Sequence, residues 1–443
     1  MPVLRFPKGF LWGSATASYQ IEGSPLADGA GPSIWHTFSH TPGVIAGDDH
    51  GDVACDHYHR WKDDIALMRD LGMKAYRFSI AWPRVFPAGH GAKNPAGLAF
   101  YDRLVDGLLA RGIDPMVTLY HWDLPQALED EGGWTAETIA GHFADYAGTM
   151  FGALGDRVKK WITFNEPWVF HWVGSVLGIH APGRHDMAAA LAGGHQTLRA
   201  HGLAVQRFRD VVPDGILGIT LSVQAHVPAT DDPRDAEAAA RARAFHNEWF
   251  VDPIVFGEYP AAMREQFGEL LPVITDADRA LFQQPIDFLG LNYYTRNVHR
   301  HDDHGFFRAA TENPIGIYTS MGSEIYPAGL YLVLKEFQER YRLPLYITEN
   351  GAGFHGESPG PDGRIEDTER LLYLQGHLEM CHRAISEGID LRGYLVWSLL
   401  DNFEWGFGYA MRFGIVRCDF DTLERTPKKS ALWLRRVIAE NGI

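Results

Sequence analysis

The sequence predicts an α/β fold, a single (β/α)8 TIM barrel with elaborated βα loops, occupying residues 1–443 as one domain. Three observations predict it. Short apolar runs rich in β-branched and aromatic residues alternate with longer segments whose apolar positions recur at three and four. No Pro/Ser-rich linker divides the chain, and there is no sign of a second domain. Polar and indole side chains collect just after the strand candidates, where this fold gathers its chemistry.

Taken in order, strands are expected near 10–16, 75–80, 115–120, 159–164, 216–223, 286–292, 345–349 and 391–399. Each is short and bounded by turn residues or by the start of a helical pattern. The helix pattern is clearest from Gly97, where Leu98, Phe100, Tyr101, Leu104, Val105 and Leu108 fall on one face. Similar patterns occupy 63–71, 136–153, 187–211, 235–251, 325–341, 368–387 and 428–440. With 443 residues, 46% of them hydrophobic and 12% aromatic, the chain can bury a large core. Length alone would suit two or three domains, but single barrels reach this size.

A formal charge of −16 argues against nucleic acid or an anionic membrane as the main partner, since both require a basic face. The three cysteines, Cys55, Cys381 and Cys418, are odd in number and far apart, which argues against a disulfide framework or a cysteine-built zinc site. A reducing compartment fits best. Met1-Pro2-Val3-Leu4-Arg5 leads almost directly into Phe10-Leu11-Trp12-Gly13 without a basic n-region or a long apolar h-region, so the expected location is cytoplasmic. No uninterrupted apolar stretch approaches a membrane span.

The segments Thr163-Phe164-Asn165-Glu166-Pro167 and Ile347-Thr348-Glu349-Asn350-Gly351 each place a carboxylate where a strand breaks into a turn. Glycoside hydrolysis uses such a pair: one acid protonates the leaving oxygen, while an ionised carboxylate attacks or stabilises the oxocarbenium-like centre. Around them, after successive strand candidates, come Gln20, Arg77, His121 and Trp122, Asn165, Asn292 and Tyr294, then Trp397, Glu404 and Trp405. A polyhydroxylated ligand needs this mixture, with hydrogen-bonding groups for its hydroxyls and aromatic platforms for its C–H face.

Five separated motifs then carry a resemblance: Phe10-Leu11-Trp12-Gly13-Ser14-Ala15, Tyr76-Arg77-Phe78-Ser79-Ile80-Ala81-Trp82-Pro83-Arg84, the two glutamate segments, and Asp401-Asn402-Phe403-Glu404-Trp405. Over nearly its whole length the chain resembles family 1 glycoside hydrolases of the β-glucosidase type. The resemblance implies Glu166 as acid/base and Glu349 as nucleophile, with Arg77 and Tyr294 beside Glu349 to lower its pKa. It implies Gln20, His121, Trp122, Asn165, Asn292, Glu404 and Trp405 as sugar-binding residues, with Trp397 as a stacking floor. The implied activity is retaining, exo-acting hydrolysis of terminal β-D-glucosyl residues, with side activity on β-galactosides or β-fucosides. Transglycosylation is the alternative; a non-catalytic sugar-binding barrel is disfavoured by the presence of both glutamates.

Glu404 stands where relatives acting on 6-phosphorylated glycosides usually carry Ser, and a carboxylate there repels a phosphate dianion, so unphosphorylated O-glycosides and short oligosaccharides are the expected small-molecule partners. Ser323, in Met321-Gly322-Ser323-Glu324-Ile325, replaces an indole that commonly flanks the aglycone in this family. No cofactor and no metal are expected. His57-Tyr58-His59 has a metallohydrolase spacing, but it leads into a helix at Trp61 instead of leaving a strand. Asp48-Asp49-His50-Gly51-Asp52 reads as a solvated loop, and Ala236 to Ala244 as a solvated helix face. The composition leaves room for a homo-oligomer.

Overall fold

Eight of the predicted apolar runs become parallel strands that close on themselves in a computed structural model describing residues 3–443. The strands are β1 (Leu11–Ala15), β2 (Ala75–Ser79), β3 (Asp114–Tyr120), β4 (Lys160–Asn165), β5 (Ile216–Pro228), β6 (Phe288–His301), β7 (Ala309–Glu312), β8 (Leu345–Asn350) and β9 (Leu391–Trp397). Neighbours run β1-β2-β3-β4-β5-β6-β8-β9 and back to β1, every pair parallel. This is the (β/α)8 barrel expected from the sequence, and closure leaves none of its eight strands with an unpaired edge. β7 joins outside the ring, antiparallel to the far end of β6, while β10 (Val416–Cys418) and β11 (Arg425–Pro427) form a separate antiparallel ribbon.

Long helices cover the barrel, among them Pro95–Leu109, Ile139–Leu154, Met187–Val211 and Thr368–Ser386. Local chemistry sets their starts. Asn94 accepts from Ala96 N–H at 3.2 Å with Pro95 in the first turn, and Asp186 accepts from Ala189 N–H at 3.0 Å. The inner layer is dense: Trp82 stacks on Tyr146 at 4.9 Å, and Trp161 is fully buried.

The structure departs from the sequence expectation in three places. β5 and β6 run past the expected 223 and 292 as a twisted pair that rises above the rim, with a register shift between Val223 and Ala225. Polar side chains stitch the two strands together there: Asn297 donates to Gln224, and His226 Nδ1 lies 2.8 Å from His299 Nε2. The expected helix at 235–251 is Pro233–Arg243, continued by a wider π-type turn over Ala244–Glu248 and a separate helix Val251–Phe256. The helix expected from 63 begins at His57, and Asp56 carboxylate oxygens hold His59 and Arg60 in its first turn. His57 itself is buried on Asp64 at 2.7 Å, and Arg425 clamps the same carboxylate. Among the described residues no helix is long and apolar enough to cross a membrane.

Candidate active site

At the carboxyl ends of the barrel strands the backbone is bent to aim side chains inward. Glu166, Trp122 and Trp405 have φ of +51°, +79° and +49°, a left-handed region costing a non-glycine residue about 1–3 kcal/mol. A strain of this kind persists where surrounding contacts over-determine it. Gly351 is required for a different reason: a Cβ there would lie 1.6 Å from the Trp397 carbonyl oxygen, so only glycine lets the ends of β8 and β9 converge.

Arg77, fully buried on β2, is the centre of the polar network. Its Nη1 donates to Glu349 Oε1 at 2.6 Å and its Nη2 to Asn165 Oδ1 at 2.6 Å, while Tyr294 OH donates to Glu349 Oε2 at 2.7 Å. Asn292 Nδ2 donates to Asn165 Oδ1 at 3.0 Å and to Glu166 Oε1 at 2.7 Å, and its own oxygen accepts from Thr348 at 2.7 Å. Four strand ends therefore link the two glutamates through one hydrogen-bonded chain.

The same network fixes a tautomer. Because Asn165 Oδ1 accepts from Arg77, its Nδ2 donates to His121 Nε2 at 3.0 Å, which leaves the His121 hydrogen on Nδ1. That Nδ1 is buried without a partner in the folded chain. Gln20 Nε2 donates to Asn402 Oδ1 at 3.0 Å and to the Phe403 carbonyl at 2.9 Å, so its buried Oε1 is an unpartnered acceptor. One free donor and one free acceptor suit a hydroxyl, which both accepts and donates.

Burial sets the electrostatics. The Glu166 carboxyl is pushed up to about 8, chiefly by desolvation and then by the charge of Glu349. Glu404 is likewise pushed up to about 8 by burial and then by Glu349, so at neutral pH it is mostly uncharged, which corrects the expectation that its charge repels a phosphate. Burial also raises Glu349, and Arg77 and Tyr294 oppose that rise instead of reversing it, which corrects the expectation that they hold it low. Only Glu349 has a guanidinium against it, so the shared proton settles on Glu166. Burial drives His121 well below its ordinary value and keeps it neutral.

A cavity of about 230 Å³ opens between these groups. Of the predicted residues, His121, Trp122, Glu166, Tyr294, Glu349, Trp397, Glu404 and Trp405 line it, and Gln20, Arg77, Asn165 and Asn292 each hydrogen-bond a lining residue. The indoles make one aromatic surface, with Trp405 at 4.6 Å from Trp122 and His121 stacked near Trp397 at 5.8 Å. Ser323 and Met321 line the same cavity. His180, which sequence reasoning missed, also lines it and packs on Trp122 at 5.6 Å; it lies in the long connection after β4, where no strand end marks it. Asn402, also missed as a site residue, orients Gln20 from within the segment Asp401–Trp405. The two clusters of metal-ligating side chains found among the described residues lie outside the cavity.

The glycosyl hydrolase family 1 model matches residues 3–443. Beta-glucosidase A of Thermotoga maritima is 50% identical over 445 residues, with 100% of each chain covered. Beta-glucosidase A of Acetivibrio thermocellus is 47% identical, again over 100% of both. A solved beta-glucosidase from Thermotoga maritima in complex with deoxynojirimycin superposes with a TM-score of 0.98 at 50% identity, covering 100% of both chains.

Proposed function

The chain belongs to glycosyl hydrolase family 1 and is a glycosidase, and from this we propose a retaining, exo-acting β-glucosidase that releases terminal non-reducing β-D-glucosyl residues by double displacement. The observation that carries the reading is the unequal treatment of two coupled carboxyls: Glu166 pushed up to about 8, Glu349 held by Arg77 and Tyr294. Glu349 attacks the anomeric carbon as the bond to the aglycone oxygen breaks, and Glu166 delivers its proton to that oxygen. Ester formation removes the Glu349 charge that helps raise Glu166. Its pKa falls, and it takes a proton from the water that releases the sugar. For retention the two carboxyl groups should stand about 5–5.5 Å apart.

Sugar recognition follows from the free donor and acceptor on His121 and Gln20, the Glu404 carboxyl and the Trp397 face. Asn165 keeps a second amide hydrogen for a sugar hydroxyl beyond the one given to His121. Unphosphorylated β-glucosides and short oligosaccharides are the substrates this set accepts, and no step calls on a cofactor. One catalytic barrel spans the chain, and a reducing cytoplasm suits its three buried free cysteines. The test is a panel of aryl β-glycosides and β-linked disaccharides followed by NMR at early times. β-Glucose should form first and mutarotate later; α-glucose as the first product, or no turnover of any β-glucoside, would overturn the reading.

A further inference from the structure

The short helix Ile34–Ser39 and the loop ending at Asp52 bring three histidines onto one carboxylate. His36 Nδ1 lies 3.4 Å from Asp52 Oδ1, His40 Nε2 3.1 Å from Oδ2, and His50 Nδ1 3.5 Å from Oδ2. Ligand atoms of His36, His40 and Asp52 all lie within 4.8 Å of one another. Metal–ligand bonds of about 2.0–2.1 Å meeting at tetrahedral angles put ligand atoms about 3.3 Å apart. The three nitrogen–oxygen separations straddle that value, and none of the four residues lines the sugar cavity.

The local hydrogen bonding asks for a cation at this point. His40 Nδ1 is 2.7 Å from the His36 carbonyl oxygen, which can only accept, so Nδ1 carries the hydrogen. Neutral His40 then turns the lone pair of Nε2 toward a carboxylate oxygen, an acceptor facing an acceptor. His36 Nδ1 and Asp52 Oδ1 are buried atoms with no hydrogen-bond partner. The rings of His36 and His40 lie 4.3 Å apart and those of His40 and His50 4.6 Å apart, so separate protons on the histidines would bring like charges together. One ion among His36, His40 and Asp52 gives both unpartnered atoms and the His40 lone pair a single centre.

We propose that His36, His40 and Asp52 form a binding site for one divalent transition-metal ion of the zinc class, with solvent in the fourth position and His50 packed on the rim. A donor set of imidazoles with one carboxylate suits zinc, cobalt or nickel, whereas magnesium and calcium need mostly oxygen. The role is structural. The helix carries Trp35, fully buried and 4.4 Å from Trp405, and Ser39, whose hydroxyl lies 2.7 Å from that of Tyr19 beside Gln20. Gly51 N–H donates to the same Tyr19 oxygen at 3.3 Å, so an ion joining helix to loop would clamp the outer layer of the sugar wall. The second cluster, His90, Glu131 and His142, has two exposed members and a longer His90–Glu131 separation of 3.7 Å, which makes it the control.

The test is titration of the metal-stripped full chain with Co2+, read by visible absorption. One equivalent should give the intense bands of four-coordinate cobalt, Zn2+ should bleach them, and Zn2+ should raise Tm. His40→Ala and Asp52→Ala should each weaken binding by at least about tenfold, the least expected when even an outer partner of a ligand is lost. His142→Ala should leave binding unchanged. His50→Ala, at a residue outside the close triad, should retain the four-coordinate bands, and circular dichroism verifies the fold of each variant. Absence of four-coordinate bands in the wild-type chain, or binding that survives His40→Ala and vanishes in His142→Ala, would overturn the proposal.

Discussion

Glu349 sits 2.6 Å from a fully buried guanidinium, and that contact outlasts the loss of its own side chain as a shaped, positively charged hole. Replacing it with glycine removes the attacking oxygen but leaves the sugar-facing wall. Glu349→Gly should therefore lower hydrolysis by on the order of 10⁵ while still joining α-glucosyl fluoride to an acceptor alcohol, since this donor already has the configuration of the missing intermediate. Near-normal hydrolysis in a discontinuous glucose assay would refute its role. For Glu166→Ala, loss should depend on leaving group: about 10²–10⁴ for alkyl or sugar aglycones and little for dinitrophenolate, which needs no proton. Azide should restore turnover as the β-glycosyl azide, and equal losses across leaving groups would exclude Glu166 as the acid. Both glutamates were legible because a carboxylate at a strand-to-turn break is a local pattern. The hydrogen-bonded chain joining them was not: that Arg77 and Asn292 both donate to Asn165 Oδ1 depends on strand ends meeting, which no single segment encodes.

Among the elements, the barrel strands were readable because each is short, apolar and closed by a turn. The outward continuation of β5 and β6 was not, because Gln224, His226, Asn297 and His299 are polar positions of a pair that leaves the core and is held by side-chain bonds. The connection after β7 shows how sequence and structure divide the work. Its departure from the family at Ser323 was visible, and the structure puts Ser323 on the cavity wall with Thr319 and Met321, its carbonyl accepting from Thr319 N–H at 2.9 Å. An indole at this point would add a flat face worth about 0.5–1.5 kcal/mol to an aryl or second sugar ring. Ser323→Trp should change KM for aryl glucosides and cellobiose by about 2–10-fold, the same energy expressed as a ratio. Inhibition by a glucose-shaped inhibitor should move by much less, because the proposed sugar contacts are His121, Gln20 and Glu404 and not Ser323. Equal changes in both measurements would place residue 323 against the inner sugar.

For the whole molecule, the buried titratable groups predict how stability follows pH. Burial lowers His171, His201 and His246 to about 3 and His180, His299 and His377 to about 4, from an ordinary 6.5. Below 6.5 the unfolded chain takes up protons that the folded chain refuses, so this contribution is present above that value and is lost as pH falls. The carboxyls act on the other side. Glu166 and Glu404 are raised to about 8 from 4.5, and Asp123 to about 7 from 3.8, each chiefly by burial. From 4.5 upward the folded state holds protons that the unfolded chain has released, so stability falls as pH rises until the folded pKa is passed. His36, His121, His142, His195 and His226 are lowered too, and Glu129, Glu248, Glu336 and Glu349 raised, so between 4.5 and 6.5 the lowered histidines outnumber the raised carboxyls. Above 6.5 the histidine contribution is complete while raised carboxyls still titrate, so Tm should peak near pH 6–7. Each unit of displacement corresponds to about 1.4 kcal/mol, so a single carboxyl gives a measurable alkaline slope. Glu404→Gln removes one such group while keeping its shape. The variant should gain in Tm over the wild type at pH 8–9, show a much smaller gain near pH 5, and lose affinity for glucose-shaped inhibitors. Scanning calorimetry of both proteins across this range checks the claim, and a gap independent of pH would show that Glu404 is not held protonated by its burial beside Glu349.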